Sequence, residues 1–195
     1  MTRAACARPE PTDEVLVGRI ARGDAAALDV LFHRHRAVAY RVAYRLLGNE
    51  PDALDAVQDG FVNALTHLGR FGGRSSFKTW LLRIVSNAAL DLGRSRRRRD
   101  ARFGGPSADD MPAVPDARAA DPDHTVYRAD LREMLSAALA ELPDAQRQAF
   151  VLHADGGLTY QEIADTLNIA VGTVMSRLFY ARQRLKESLA HRVAP

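Results

Sequence analysis

Between Thr173 and Lys186 the chain sets hydroxyls and guanidiniums at helical spacing. At about 100° per residue, Thr173, Ser176, Arg177, Tyr180 and Arg184 share one side, and Val174, Leu178, Ala181 and Leu185 share the other. Donors and acceptors held on a rigid rod are the groups that meet base edges and phosphates in a DNA groove. Residues 173–192 hold five Lys/Arg and one Glu, so the rod is net positive. A solvated basic face is the competing reading, and the residues upstream weigh against it. Thr159-Tyr160-Gln161-Glu162 reads as a capping box, in which the threonine hydroxyl caps a helix start and Glu162 reaches back. Ile163, Ala164 and Leu167 give that helix a buried face, and the small Ala164 lets a second helix cross closely. Asn168 suits the left-handed conformation that ends a helix. Ile169 and Val171 plug the turn, and Gly172-Thr173 starts the next helix. Two amphipathic helices about a short turn form the helix-turn-helix plan.

A second stretch carries the same chemistry. Phe77-Lys78-Thr79-Trp80-Leu81 opens a helix expected to run to about Arg97, with Leu81, Ile84, Ala88 and Leu92 as its buried stripe. Arg83, Asn87 and Arg94 share another face, and arginines fill positions 96–99. Arginines at a helix end also answer the helix dipole, so the run alone means little. Before it lies LGRFGGRSS, residues 68–76, a loop rich in glycine, serine and arginine. Loop and helix together make a groove in which aromatic rings and guanidiniums hold unstacked bases. Trp80 fits either a stacking platform or the apolar core.

Helices must position these groups, because strand signals are nearly absent. Thr12 or Asp13 caps a first helix with Leu16, Ile20 and Ala21 on one face. Asp24 opens a second through Leu28, Leu31, Phe32, Val38, Val42 and Leu46, closed by Gly48-Asn49. Asp52 starts a third, with Ala53, Ala56, Val57, Phe61 and Leu65 on one stripe. Residues 104–124 hold four prolines and five aspartates without periodicity and read as a linker. Further helices follow from about Val126, broken at Leu142-Pro143-Asp144 and at Asp155-Gly156-Gly157. The expected fold is all-α: two small helical domains joined by a flexible acidic Pro/Asp-rich linker, the second containing the helix-turn-helix. The expected divisions are a disordered tail over 1–11, a first domain over 12–99, the linker over 100–125 and a second domain over 126–191.

Charge follows the same plan. Residues 1–99 carry 17 Lys/Arg against 10 Asp/Glu, residues 100–130 carry 3 against 7, and residues 131–195 carry 7 of each. A basic first part suits a polyanionic partner. No apolar run approaches the ~20 residues that span a bilayer, and the first residues lack a signal-peptide core, so a cytoplasmic protein without membrane insertion is expected. One cysteine, Cys6, excludes an internal disulfide framework. His33, His35, His67, His124, His153 and His191 show no metal-ligand spacing. No phosphate-binding glycine motif or Ser/His/Asp signature is present, and Asp109 and Asp110 sit in the linker. No enzyme, metal or cofactor is expected.

Three blocks carry a resemblance. The first is Asp52-Ala53-Leu54-Asp55-Ala56-Val57-Gln58-Asp59-Gly60-Phe61. The second is Phe77 to Arg98, in which Trp80, Leu81, Ile84, Asn87, Asp91 and Arg94 meet an F-x-x-W-L-x-x-I-x-x-N-x-x-x-D-x-x-R pattern. The third runs from Leu142-Pro143 to Leu185 and is similar to LPxxxRxxFxL, YxEIAxxL and GTVxSRLxxAR in turn. In this order and spacing the chain resembles the extracytoplasmic-function (ECF) group of bacterial sigma factors, over roughly residues 13–98 and 127–190. The resemblance implies that Asp52, Asp55, Gln58, Asp59 and Phe61 meet the clamp of core RNA polymerase, with Phe61 also a core candidate. It implies that the −10 element, melted with a flipped base held in a pocket, is read by the loop residues Arg70, Arg74 and Ser76. The helix residues Lys78, Trp80, Arg83, Asn87, Arg94, Arg97 and Arg98 would join them. It implies that Thr159, Thr173, Met175, Ser176, Arg177, Phe179, Tyr180 and Arg182 read the −35 element in duplex promoter DNA. An anti-sigma factor is implied as a further partner, and the acidic linker would thread toward the RNA exit path. The chain departs from the family where Met175 and Tyr180 replace commonly basic residues. It departs also at Leu54, where an acid is usual, and at Gly60, whose helix propensity is ~1 kcal/mol below alanine's. A stand-alone helix-turn-helix regulator is the alternative reading.

Overall fold

Short polar side chains start most of the helices. In the computed structural model, which describes residues 10–103, 131 and 133–193, Thr12 caps α1 (Asp13–Ile20) and Asp24 caps α2 (Ala25–Leu47). Gly48, at φ 77°, ends α2 in the left-handed conformation that a side chain disfavours. The third helix starts two residues before the expected Asp52. Asn49 Oδ1 accepts from Asp52 N–H at 2.9 Å, so Asn49 is the cap of α3 (Glu50–Thr66) rather than only the tail of α2. Leu68–Arg70 forms a single 3-10 turn, and α4 runs over Phe77–Phe103, about a turn and a half beyond the expected end at Arg97. The linker residues from 104 lie outside the described residues.

Helix α4 is buried more widely than its expected stripe. Leu81, Leu82, Val85, Ala89 and Leu90 are in the core, while Ile84, Ala88 and Leu92 are only half-buried. The cause is that α4 packs between α2 and α3, so one stripe of apolar residues is not enough. Gly60 belongs to this packing and does not weaken α3. A Cβ there would lie 2.5 Å from Val85 Cγ2 and 3.3 Å from Val85 Cα, so glycine lets α3 and α4 touch backbone to side chain. Helix α1 is strapped across α2: Arg34 donates to Asp13 at 2.7 Å, and His35 Nε2 lies 2.8 Å from the other Asp13 oxygen, buried under α1.

The second helical group holds α5 (residues 133–140), α6 (Asp144–Ala154), α7 (Tyr160–Leu167) and α8 (Val171–Val193). Leu142-Pro143 breaks α5 from α6, as proline demands of the residue before it. Val174, Leu178, Ala181 and Leu185 of α8 are buried, as their spacing predicts, together with Ile163 and Ala164 of α7 and Leu152 of α6. Helix α8 begins at Val171, two residues before the expected Thr173, because Thr173 and Val174 already donate to the Ala170 carbonyl. It also runs seven residues past Lys186. No strand occurs among the described residues.

Gly60→Ala tests the α3–α4 crossing. The substitution gains ~1 kcal/mol of helix propensity but overpacks a stiff valine, which is worth about 1–3 kcal/mol against folding. The expected net result is a lower Tm by circular dichroism; an unchanged or raised Tm contradicts so close a crossing.

Candidate functional site

Three surfaces gather the residues singled out by sequence. The first lies on the outer side of α3. Asp55, Gln58 and Asp59 are exposed there beside Leu54 and Val62. Phe61 is not part of that surface: it is 5% exposed and packs edge-on against Phe32, ring centroids 4.7 Å apart. Its apolar ring joined the buried stripe, so it is a core residue. Asp52 is half-buried and pairs with Arg96 of α4 at 2.8 Å, an ion pair that ties α3 to α4.

The second surface is built from the 70–76 loop and α4. Ser76 Oγ accepts from the Thr79 N–H at 3.1 Å, in the manner of an N-cap, so its hydroxyl starts the helix. Phe71, Phe77 and Trp80 form an aromatic cluster with centroids 5.3–5.9 Å apart. Trp80 is half-buried in it and therefore both packs in the core and shows an edge outward. Arg70, Arg74 and Arg83 surround this edge and line a cavity of about 700 Å³. Its far wall is Asp165, Thr166 and Asn168 from the end of α7. Lys78 is half-buried, and Asn87, Arg94, Arg97 and Arg98 are exposed along α4.

Sequence reasoning did not find what faces α4. Arg94 and Arg97 both donate to the Asp144 carboxylate, at 3.2 and 3.1 Å. Gln148 Nε2 donates to Asn87 Oδ1 at 3.0 Å and to Ser86 Oγ at 3.2 Å. Thr79 Oγ1 donates to Glu162 at 2.9 Å. Arg45 of α2 lies 3.6 Å from Asp155. Burial raises the Asp155 carboxyl above the usual range, and Arg45 opposes that only in part. Gly156 seats against Leu82, where a Cβ would come within 3.2 Å of its Cδ1 and 2.5 Å of the Leu152 carbonyl. Locally, Asp144 looks like any acid in a helix's first turn and Glu162 like any capping glutamate. Only the adjacency of two sequence-distant helices reveals their second partners.

The third surface is α8. Phe179, Met175 and Tyr180 are 63%, 55% and 53% exposed, a ridge of apolar side chains in water. Thr173, Ser176 and Arg182 are exposed and Arg177 is half-buried. Ser176 Oγ donates to the Gly172 carbonyl at 3.0 Å, and Arg182 donates to the Tyr160 hydroxyl at 3.3 Å. Thr159 is occupied by the capping box: its hydroxyl accepts from Glu162 N–H, and the Glu162 carboxylate accepts from Thr159 N–H. Asn168, at φ 52°, makes the left-handed stop between α7 and α8. The geometry of a helix-turn-helix is complete.

Residues 31–99 match the family described as Sigma-70 region 2, and residues 132–185 match Sigma-70, region 4. The ECF RNA polymerase sigma factor SigE of Mycolicibacterium smegmatis is 37% identical over 186 residues, 93% of this chain and 70% of that protein. The chain belongs to the ECF sigma factors. The ECF RNA polymerase sigma-E factor of Escherichia coli (strain K12) is 32% identical over 89% of this chain and 92% of its own. Two solved structures share the fold at 27% identity. CnrH in complex with the cytosolic domain of CnrY has a TM-score of 0.69 and covers 92% of this chain and 97% of that one. The sigma factor RpoE in complex with the anti-sigma factor NepR, from Bartonella quintana, scores 0.65 and covers 84% and 96%. Sigma factors bind core RNA polymerase and promoter DNA and are not enzymes; these are the partners of this ECF sigma factor. No helix among the described residues is long and apolar enough to cross a membrane.

Glu162 offers a pH test of the capping box. The Thr159 N–H holds its carboxyl below the usual range, so the ionised form stabilises the fold. That contribution is fully present above the ordinary carboxylate pKa and is lost as pH falls from there through the lowered folded-state value. Glu162→Gln should therefore lower Tm at neutral pH, by the about 0.3–1 kcal/mol typical of a carboxylate at a helix start. The gap to wild type should close in acid, and a gap independent of pH contradicts the ionised cap.

Proposed function

We propose that this ECF sigma factor directs promoter-specific initiation by gripping the −10 element with α4 and the preceding loop, and the −35 element with α8. The observation that carries this reading is the division of labour. One helical domain presents guanidiniums around an aromatic edge, and the other presents an exposed rod at the end of a helix-turn-helix. An aromatic edge ringed by arginines suits unstacked bases of a melted strand. A rod bearing Thr173, Ser176, Arg177 and Tyr180 suits a major groove. The exposed ridge of Met175, Phe179 and Tyr180 fits the same task, since thymine methyls are apolar partners in that groove. Arg182 and Thr159 sit beside it, where the backbone of the duplex would pass.

The outer face of α3, with Asp55, Gln58 and Asp59 beside the exposed Leu54 and Val62, is the proposed contact with the clamp of core polymerase. An acidic surface edged by apolar side chains is typical of a docking face that recognises basic residues. Because a structural neighbour is a sigma factor held by an anti-sigma factor, an anti-sigma factor is the proposed regulator of this chain. The working division is 12–99 for polymerase and −10 binding and 126–191 for −35 binding, joined over 100–125.

Run-off transcription with purified core polymerase tests the reading. On a promoter selected from a random library by the holoenzyme, core alone should be silent and should initiate when the protein is added. A stand-alone regulator would leave core silent with or without it.

Asp55→Arg combined with Gln58→Ala should abolish copurification with core polymerase and leave the circular dichroism spectrum unchanged, since both side chains are exposed. Retained copurification places the clamp contact elsewhere.

A further inference from the structure

His153 stands in the last turn of α6, just before the helix-turn-helix, and its two ring nitrogens differ. Nδ1 lies 2.9 Å from the Leu158 carbonyl oxygen. A carbonyl only accepts, so Nδ1 carries a proton in either charge state of the ring. Nε2 has no hydrogen-bond partner among the described residues and is not shut off from water. It is a bare lone pair when the ring is neutral and an outward N–H donor when the ring is charged.

Two further donors stand beside it. The His153 ring meets the Tyr160 ring edge-on, with centroids 5.1 Å apart. The Tyr160 hydroxyl accepts from Arg182 of α8 at 3.3 Å, which leaves its own proton to give. Arg182 is exposed, and His153 and Tyr160 are half-buried, so one patch of donors runs across α6, α7 and α8. In a helix-turn-helix the second helix enters the major groove while the first crosses the sugar-phosphate backbone. Tyr160 is the first residue of α7, so the patch lies at one end of the helix that crosses. Phosphate oxygens are acceptors alone, and a patch of donors is their complement.

We propose that His153, as an imidazolium, joins Tyr160 and Arg182 in holding one backbone phosphate beside the −35 element, so that this grip takes up a proton as it closes on DNA. This rests on the reading of α8 as the −35 grip. The bond from Nδ1 to Leu158 fixes where Nε2 points, so little side-chain freedom is lost on binding. Charged groups reach this turn from every neighbouring helix. Arg45 of α2 lies by Asp155, and Lys78 of α4 lies over Gly157. Glu162 of α7 is committed to the Thr159 N–H, and Arg182 of α8 to Tyr160. As pH falls through the histidine range the ring gains a donor and a positive charge toward the phosphate, and binding tightens. As pH rises the lone pair of Nε2 faces the phosphate oxygens, and the contact is lost.

Holoenzyme made from core polymerase and the full-length chain tests this on a selected promoter, with affinity read by anisotropy at about pH 6 and about pH 8. Asp155, raised by burial, can also take a proton in acid, so variants at His153 are compared with wild type at each pH. Relative to His153→Gln, wild type should bind about fivefold more tightly at the lower pH and equally at the higher. Its plot of log affinity against log salt should be steeper by about 0.9 at the lower pH, the mark of one more neutralised phosphate. His153→Arg, charged throughout, should bind tightly at both. A His153→Gln holoenzyme that keeps the wild-type pH response and salt slope overturns the contact. Weak binding by His153→Gln at both pH values, unrelieved in His153→Arg, makes the residue structural and also overturns it. A promoter with a scrambled upstream element separates the two claims. Unchanged wild-type affinity on it sinks the −35 reading itself, and the His153 contact with it. Reduced affinity on it, with the pH response intact in His153→Gln, sinks the His153 contact alone.

Discussion

Everything in the structure is arranged about the burial of α4. Phe77, Leu81, Leu82 and Val85 are almost wholly withdrawn from water, and each large apolar side chain so buried is worth about 1.5–3 kcal/mol. Helices α2 and α3 take two sides of α4, and α6 and α7 lie against a third. What remains for polar chemistry is a narrow strip, and Arg83, Asn87, Arg94 and Arg98 occupy it. The strip is rigid because the sides around it are packed. Gly60 sets how tightly, since nothing larger fits opposite Val85.

On the proposed reading, the same constraint lets one chain hold two kinds of DNA chemistry. A melted strand needs flat rings and guanidiniums on a firm wall, which a three-helix packing supplies at Phe71, Phe77 and Trp80. A duplex needs a protruding rod, which α8 supplies by burying only the Val174–Leu185 stripe and leaving the rest in solvent. Membership of the ECF sigma factors, which bind promoter DNA, supports that reading. The C-terminal helices α6 and α7 also pack against α4.

Local signals were legible in the sequence wherever a helix end or a single stripe decided the matter. The Thr159–Glu162 box, the Asn168 stop, the Gly48 cap and the α8 stripe all stand as their residue types imply. Reading failed where burial came from more than one side. Periodicity in α4 marks one stripe where the core takes a broader one, because it reports a face and not the number of neighbours. Propensity alone undervalues Gly60, because Val85 across the helix pair sets its role. Phe61 was placed on a contact surface by family pattern, while its spacing with Ala53 and Val57 put it in the core. The partners Asp144–Arg97 and Glu162–Thr79 are 47 and 83 residues apart in sequence, beyond any local rule.

The Ser176 hydroxyl carries a last consequence. Its proton is committed to the Gly172 carbonyl one turn back, so toward the groove it offers lone pairs alone. On the proposed reading it acts as an acceptor in the second turn of α8. In that arrangement its lone pairs suit the exocyclic amines of adenine or cytosine better than the carbonyls of thymine and guanine. A serine, usually ambivalent, is thereby given one sign by the backbone that bears it.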